Sequence, residues 1–171
     1  MSLLAALICV SSYIIVPLPF SPVPLTAQSL AVMLAGSLLS PLQTFVTVML
    51  FILLGTIGLP VFAGGASGPG VLLGPTGGYL VGFLVGAVII SLLKSNTPGI
   101  LRYWIANLVG GLIVVYAIGV PWLSRVTGMT LDKAFMVGAF PFLPGDLLKV
   151  FLAASLACKL APQFKLQFRR S

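Results

Sequence analysis

The feature that most constrains the fold is the run from Met1 to Leu93, which contains no Lys, Arg, Asp, Glu or His. Over the whole chain 59% of residues are hydrophobic and 6% are charged, with a mean hydropathy of +1.19. A typical soluble domain is about 25% charged. A membrane-spanning helix needs about 20 apolar residues, so the chain has room for about six crossings. The sequence therefore predicts an all-α integral membrane protein.

Turn-forming residues divide the chain into six apolar segments, which we predict to be six transmembrane helices in one bundle. The bundle forms a single membrane domain, residues 1–171. The predicted spans are 2–16, 25–39, 42–57, 79–93, 100–120 and 143–161. Residues 121–138 are predicted to hold a short amphipathic surface helix that starts near Thr130.

Two long connections are rich in Pro and Gly. Residues 17–24 contain four prolines, which exclude a helix, and their apolar content predicts an extended strap packed over the bundle. Residues 58–78 contain eight glycines and three prolines interspersed with apolar side chains, which favours a packed cap over a flexible linker. A nucleotide-binding loop is excluded because this segment has no Lys or Arg and no phosphate-binding motif.

Asp146 and Lys149 are two charged residues inside an otherwise apolar run. An ionised side chain at the centre of a bilayer costs on the order of 2.5–3.5 kcal/mol, and such residues are usually functional. A spacing of three places both on one face of a helix. One interpretation is a polar ligand site inside the bundle; the other is an ion pair that only neutralises itself.

Two uncharged polar residues are further candidates. Gln28 either donates to a ligand at the mouth of the bundle or satisfies backbone groups near its own helix end. Asn107 has both a donor and acceptors, which suits a urea-like ligand, but a hydrogen bond between helices is the alternative. A four-residue repeat of glycines, at Gly74, Gly78, Gly82 and Gly86, predicts the close approach of another helix.

The charged residues that remain exclude several classes of function. The chain has no His and only two acidic residues. It therefore has almost none of the side chains needed for a metal site, a carboxylate pair or a hydrolytic triad, and an enzyme is not expected. The net charge of +7 is interpreted as membrane topology and not as nucleic-acid binding. Cytoplasmic termini place most basic residues inside, namely Lys94, Arg102, Lys159, Lys165, Arg169 and Arg170.

Four motifs together resemble the BioY family, the biotin-binding S components of energy-coupling factor (ECF) transporters. They are Ser21–Gln28, Gly55–Gly65, Leu73–Phe83 and Pro144–Lys149, and they follow the family's order over nearly the whole chain. One departure is Ala27, where many members have Leu before the Gln. This change removes no polar contact.

The resemblance implies a subunit that captures biotin at the outer face of the bacterial plasma membrane. Its implied partners are a transmembrane coupling protein and two cytoplasmic ATPase subunits, which alone use ATP; no cofactor is implied for the chain itself. An S component for another small vitamin or for a metal ion is the alternative. The implied substrate-binding residues are Asp146, Lys149, Asn107, Gln28, Tyr79, Phe62, Trp104 and Gly74.

Within that site we expect Asp146 and Asn107 to meet the urea-like ring of biotin, with Phe62, Tyr79 and Trp104 around its apolar bicycle. Lys149 either holds Asp146 ionised, donates to the ring oxygen or meets the ligand carboxylate. The sequence leaves these three roles of Lys149 open.

Overall fold

The computed structural model describes residues 1–19, 21–94 and 99–168, and for 163–168 it describes the backbone alone. The described chain is mostly helical, with one two-stranded antiparallel sheet. The α-helices are α1 (Ser2–Ser11), α2 (Gln28–Leu38), α3 (Pro41–Thr56), α4 (Pro69–Leu73), α5 (Gly77–Leu93), α6 (Ile100–Asn107), α7 (Val115–Thr127), α8 (Leu131–Gly138) and α9 (Leu143–Phe168). The strands are β1 (Ile15–Val16) and β2 (Leu25–Thr26), and a π-helical segment, Leu108–Val114, joins α6 to α7.

Each predicted span contains a helix, but two boundaries differ clearly from the prediction. The first helix ends at Ser11 and not at residue 16, because Ile15 and Val16 pair with Leu25 and Thr26 as β-strands. The fifth helical stretch continues through Pro121 to Thr127, where Gly128 closes it with a φ of +71°. The predicted amphipathic surface helix is present as α8, with Thr130 at its N-cap position.

Two continuous helical stretches of the described chain are long and apolar enough to cross a membrane. They are Ile100–Thr127 and Leu131–Pro162, whose most apolar windows have mean hydropathies of 1.8 and 1.5. The other apolar helices, α1, α2, α3 and α5, have 10 to 17 residues. Length and composition alone therefore identify two candidate spans, not six.

The glycine repeat packs against helices of the same chain. The π-helical segment and α7 lie against α5, where a side chain on Gly82 would sit 3.0 Å from the Cα of Val115. A side chain on Gly86 would collide with the carbonyl oxygen of Gly110. The small residues thus bring two helices of one bundle together, as small-residue motifs do in membrane proteins.

The glycine-rich connection packs on the chain just after α1, at one end of the bundle. The Tyr13 hydroxyl donates to the Pro60 carbonyl at 2.7 Å, and the Gly64 amide donates to the Ser12 carbonyl at 3.0 Å. Phe62 is buried and meets the ring of Phe51 edge-on, with centroids 5.5 Å apart. The glycine-rich connection is therefore a packed cap, as predicted, and the proline strap lies beside it.

Candidate functional site

Asp146 and Lys149 form an ion pair at the start of α9. Lys149 Nζ lies 2.9 Å from Asp146 Oδ1, and each side chain is 14% exposed. Asp146 is in the first turn of the helix, where the helix dipole stabilises a negative charge. The pair is thus held at a helix start and is largely shielded from solvent.

Lys149 also ties α9 to the chain beneath the proline strap. Its ammonium group donates to the Thr26 carbonyl at 2.7 Å and to Ser29 Oγ at 2.9 Å. An ammonium group has three N–H donors, so these two bonds and the ion pair with Asp146 use all of them. The Ser29 hydroxyl accepts from Lys149 and keeps its own proton free to donate.

Tyr116 supplies the second partner of the carboxylate, because its hydroxyl donates to Asp146 Oδ2. Tyr116 lies just after the π-helical segment, and such segments are frequent at functional sites. Each carboxylate oxygen of Asp146 has one protein donor and can accept a second hydrogen bond. The carboxylate is thus held in position on both sides and still has acceptor capacity.

A small cavity of about 60 Å³ borders these groups. Ser29, Tyr116, Asp146 and Lys149 are four of the residues with polar side chains that line it. Its remaining described lining residues are Val23, Pro24, Leu25, Thr26, Tyr79, Phe83, Gly111, Val115, Gly138 and Phe142. We call this space the polar chamber.

A larger cavity of about 330 Å³ lies beneath the strap and the glycine-rich cap. Its lining is mostly apolar, and Gln28 and Thr76 add uncharged polar groups. The other described lining residues are Pro22, Val23, Pro24, Thr26, Phe62, Ala63, Ala66, Gly70, Val71, Gly74, Pro75, Tyr79, Leu80 and Phe83. We call this space the apolar cavity.

The two spaces are adjacent. They share the lining residues Val23, Pro24, Thr26, Tyr79 and Phe83. The Tyr79 hydroxyl donates to the Gly138 carbonyl at 2.8 Å, which fixes the ring between the two spaces. An apolar pocket with a few converging polar groups is the usual form of a small-molecule site.

Six of the eight predicted site residues line these spaces. Asp146 and Lys149 lie in the polar chamber, and Tyr79 borders both spaces. Gln28, Phe62 and Gly74 line the apolar cavity. Gln28 Nε2 donates to the Val61 carbonyl of the glycine-rich connection at 3.0 Å. This partner differs from the backbone groups at its own helix end that the alternative interpretation predicts.

Asn107 and Trp104 are not among the residues that line either space. Asn107 is fully buried; it donates to Ser37 Oγ at 3.0 Å and to the Tyr103 carbonyl at 2.7 Å. Trp104 packs against the core cluster that contains Ile90 and Val150. The structure therefore supports the alternative for Asn107, a hydrogen bond between helices, and it does not bring either residue to the cavities.

Four further residues line the two spaces without being among the predicted site residues: Ser29, Thr76, Phe83 and Tyr116. The single Tyr116 in an apolar span has the pattern of an ordinary core aromatic residue, and Ser29 follows Gln28 with no distinguishing signal. Thr76 and Phe83 lie within the Leu73–Phe83 motif, which is the only sequence signal for them.

Comparison with known proteins gives a family and a fold. The model of the BioY family matches residues 1–166. The biotin transporter BioY of Thermotoga maritima is 41% identical over 155 residues, which covers 91% of this chain and 89% of that protein. The biotin transporter BioY of Rhizobium etli is 40% identical over 149 residues, with 82% and 79% covered.

A solved structure agrees over nearly the whole fold. It is the crystal structure of the S component for biotin from an ECF-type ABC transporter, with a TM-score of 0.88 and 31% sequence identity. The match covers 96% of this chain and 90% of that one. By its family model, its relatives and its fold, the chain belongs to the BioY family.

Proposed function

We propose that this chain is the biotin-binding membrane subunit of a biotin uptake transporter. The observation that carries this proposal is the match, over nearly the full chain, to the S component for biotin. Relatives that are about 40% identical are named biotin transporters, so the chain is a transport subunit and not an enzyme. Biotin is its transported ligand.

We further propose that the polar chamber holds the urea-like ring of biotin. A ring N–H donates to a carboxylate oxygen of Asp146, which can still accept one more hydrogen bond. Charge-assisted hydrogen bonds of this kind are strong. The Ser29 hydroxyl donates to the ring oxygen, because its own oxygen already accepts from Lys149. Of the three open roles for Lys149, this arrangement uses the first: it holds Asp146 ionised and orients Ser29.

The apolar cavity then takes the sulfur-containing ring of the bicycle and the aliphatic tail. Phe62, Tyr79 and Phe83 present apolar surface there, and burying such surface yields roughly 25 cal/mol per Å². Gln28 keeps its hydrogen bond to the Val61 carbonyl and forms part of the cavity wall. The Gly74 carbonyl accepts from Trp122 Nε1 at 3.0 Å, which holds the cap over the ligand.

Asn107 and Trp104 have a supporting role in this proposal. The Asn107–Ser37 bond joins α6 to α2, and Trp104 fills space between α6, α2 and α9. Both stabilise the bundle on which the site is built, and neither touches the ligand.

The membrane arrangement follows the predicted topology. Six helical spans with cytoplasmic termini place the strap, the cap and the start of α9 at the outer face of the bacterial plasma membrane, so biotin enters from outside. The partners are a transmembrane coupling protein and two ATPase subunits, in keeping with the ECF-type transporter named for the structural relative. The chain's sequence has no nucleotide-binding motif, so the partners supply the energy.

Calorimetric titration of biotin into the detergent-purified chain tests the function. We expect tight binding of one biotin per chain, with no heat from other water-soluble vitamins at the same concentration. Tighter binding of another vitamin would show that this vitamin, and not biotin, is the substrate. Because the described residues contain no cluster of three metal-ligating side chains, we expect divalent cations to leave the biotin affinity unchanged.

A further inference from the structure

We propose that the charged groups of the site contact only the ring end of the ligand. The site therefore also accepts biotin derivatives whose tail carboxylate has been neutralised. The inference rests on the proposed function, since it concerns which part of biotin meets which cavity. It extends the ligand class from biotin to uncharged biotin amides.

The charges of the site are all at one end. Asp146 and Lys149 border the polar chamber, whereas no described residue that lines the apolar cavity is Lys, Arg, Asp or Glu. A ligand whose ring occupies the polar chamber extends its tail into the uncharged cavity. The tail therefore has no cation to meet among the described lining residues.

Lys149 cannot donate to the tail carboxylate without breaking one of its present hydrogen bonds. Its three donors are used by the Thr26 carbonyl, by Ser29 and by Asp146, at 2.7 to 2.9 Å. Turning the ammonium group towards a carboxylate would leave at least one of these partners without its donor, and a buried group without a partner is costly. The Lys149 ammonium group therefore positions Asp146 and Ser29 at the ring end of the site and does not reach the tail.

Five glycine amides of the glycine-rich cap already donate to backbone carbonyls as well. Gly64 donates to Ser12 at 3.0 Å, Gly65 to Phe62 at 2.9 Å, Gly68 to Gly55 at 2.7 Å, Gly74 to Val71 at 3.3 Å and Gly77 to Gly74 at 3.1 Å, in each case to the backbone carbonyl. Clusters of free backbone amides are what make glycine-rich loops bind anions. These five amides hold the loop together, so they are not free to bind an anion.

An ionised carboxylate enclosed in the apolar cavity would therefore lack a charged partner, which is unfavourable. The cavity reaches the surface at Pro22, Ala66 and Gly70, which line it and are exposed. The tail carboxylate then lies at this opening, where it accepts from the Thr76 hydroxyl and from water. The same hydroxyl can donate to an amide carbonyl, and water at the opening screens the charge of the carboxylate, so neutralising the tail removes little binding energy.

Titration with biotin and with its primary amide, which has nearly the same shape, tests the proposal. We expect the two dissociation constants to agree within about threefold, because only neutral contacts reach the tail. A cation that bound the carboxylate would make the amide weaker by about 10- to 150-fold. An amide that is weaker by tenfold or more overturns the proposal.

The variant Thr76→Val supplies a second readout. Loss of a neutral hydrogen bond should weaken acid and amide equally, by about fivefold. Thr127→Val, at the far end of α7 from the π-helical segment, is the matched control and should change neither. A Thr76→Val effect confined to the acid would contradict the proposal. If biotin itself does not bind the wild-type chain, the proposed function fails and this inference fails with it.

Discussion

Two polar pairs inside the apolar bundle differ in one respect. Ser37 and Asn107 bond to each other across α2 and α6 and are fully buried. Asp146 and Lys149 also bond to each other and across helices, but they border open space. Every buried polar side-chain atom in the described part of the chain has a partner. Hydrogen bonding alone therefore does not distinguish the two pairs; the adjacent cavity does.

The largest predicted effect is at the ion pair. Lys149→Met leaves the Asp146 carboxylate without its cation, and breaking a buried pair in this way costs about 3–5 kcal/mol. We expect biotin affinity to fall by about 100-fold or more, as measured by calorimetry. Lys133→Met, on the exposed face of α8, is the control and should bind normally. Equal binding by both variants would remove Lys149 from the site.

The Asn107 pair should give the opposite pattern. Asn107→Ala leaves the Ser37 hydroxyl without its partner, which costs about 1–3 kcal/mol of stability. We expect a lower thermal unfolding temperature in detergent, with biotin affinity unchanged within threefold at a temperature where the variant is folded. A variant that unfolds normally but binds biotin tenfold more weakly would return Asn107 to the ligand site.

A smaller effect is expected at Tyr116. Tyr116→Phe removes one of the two protein donors that position the Asp146 carboxylate, while the ion pair stays intact. We expect biotin affinity to fall by about fivefold, equivalent to about 1 kcal/mol. Tyr103→Phe, in the core cluster with Ala154 and Ala157, is the control. An unchanged Tyr116→Phe affinity would show that Lys149 alone positions the carboxylate.

Sequence reasoning found the ion pair because charge is expensive in an apolar segment, and it found the packed cap because glycines alternated with apolar residues. The helices followed from apolar segments bounded by Pro and Gly. These features are local in sequence, so a single chain is enough to recognise them.

The missed features depend on contacts between distant segments. The strands β1 and β2 have two residues each, and their pairing shortened the first helix in a way that no local pattern predicts. The π-helical segment changes the direction in which later side chains point, so helical periodicity could not place Tyr116 beside Asp146. The chemistry of Asn107 predicts a contact with a urea-like ligand, whereas the structure pairs Asn107 with Ser37, which lies 70 residues away in the sequence.

The most direct test of the central claim uses the only two acids in the chain. Asp146→Asn and Asp132→Asn are the same substitution, one in the polar chamber and one on the exposed surface of α8. Calorimetric titration should show that Asp146→Asn binds biotin at least about 30-fold more weakly, within the range for hydrogen bonds to a charged group, while Asp132→Asn binds as wild type does. Unchanged affinity in the folded Asp146→Asn variant would contradict the account.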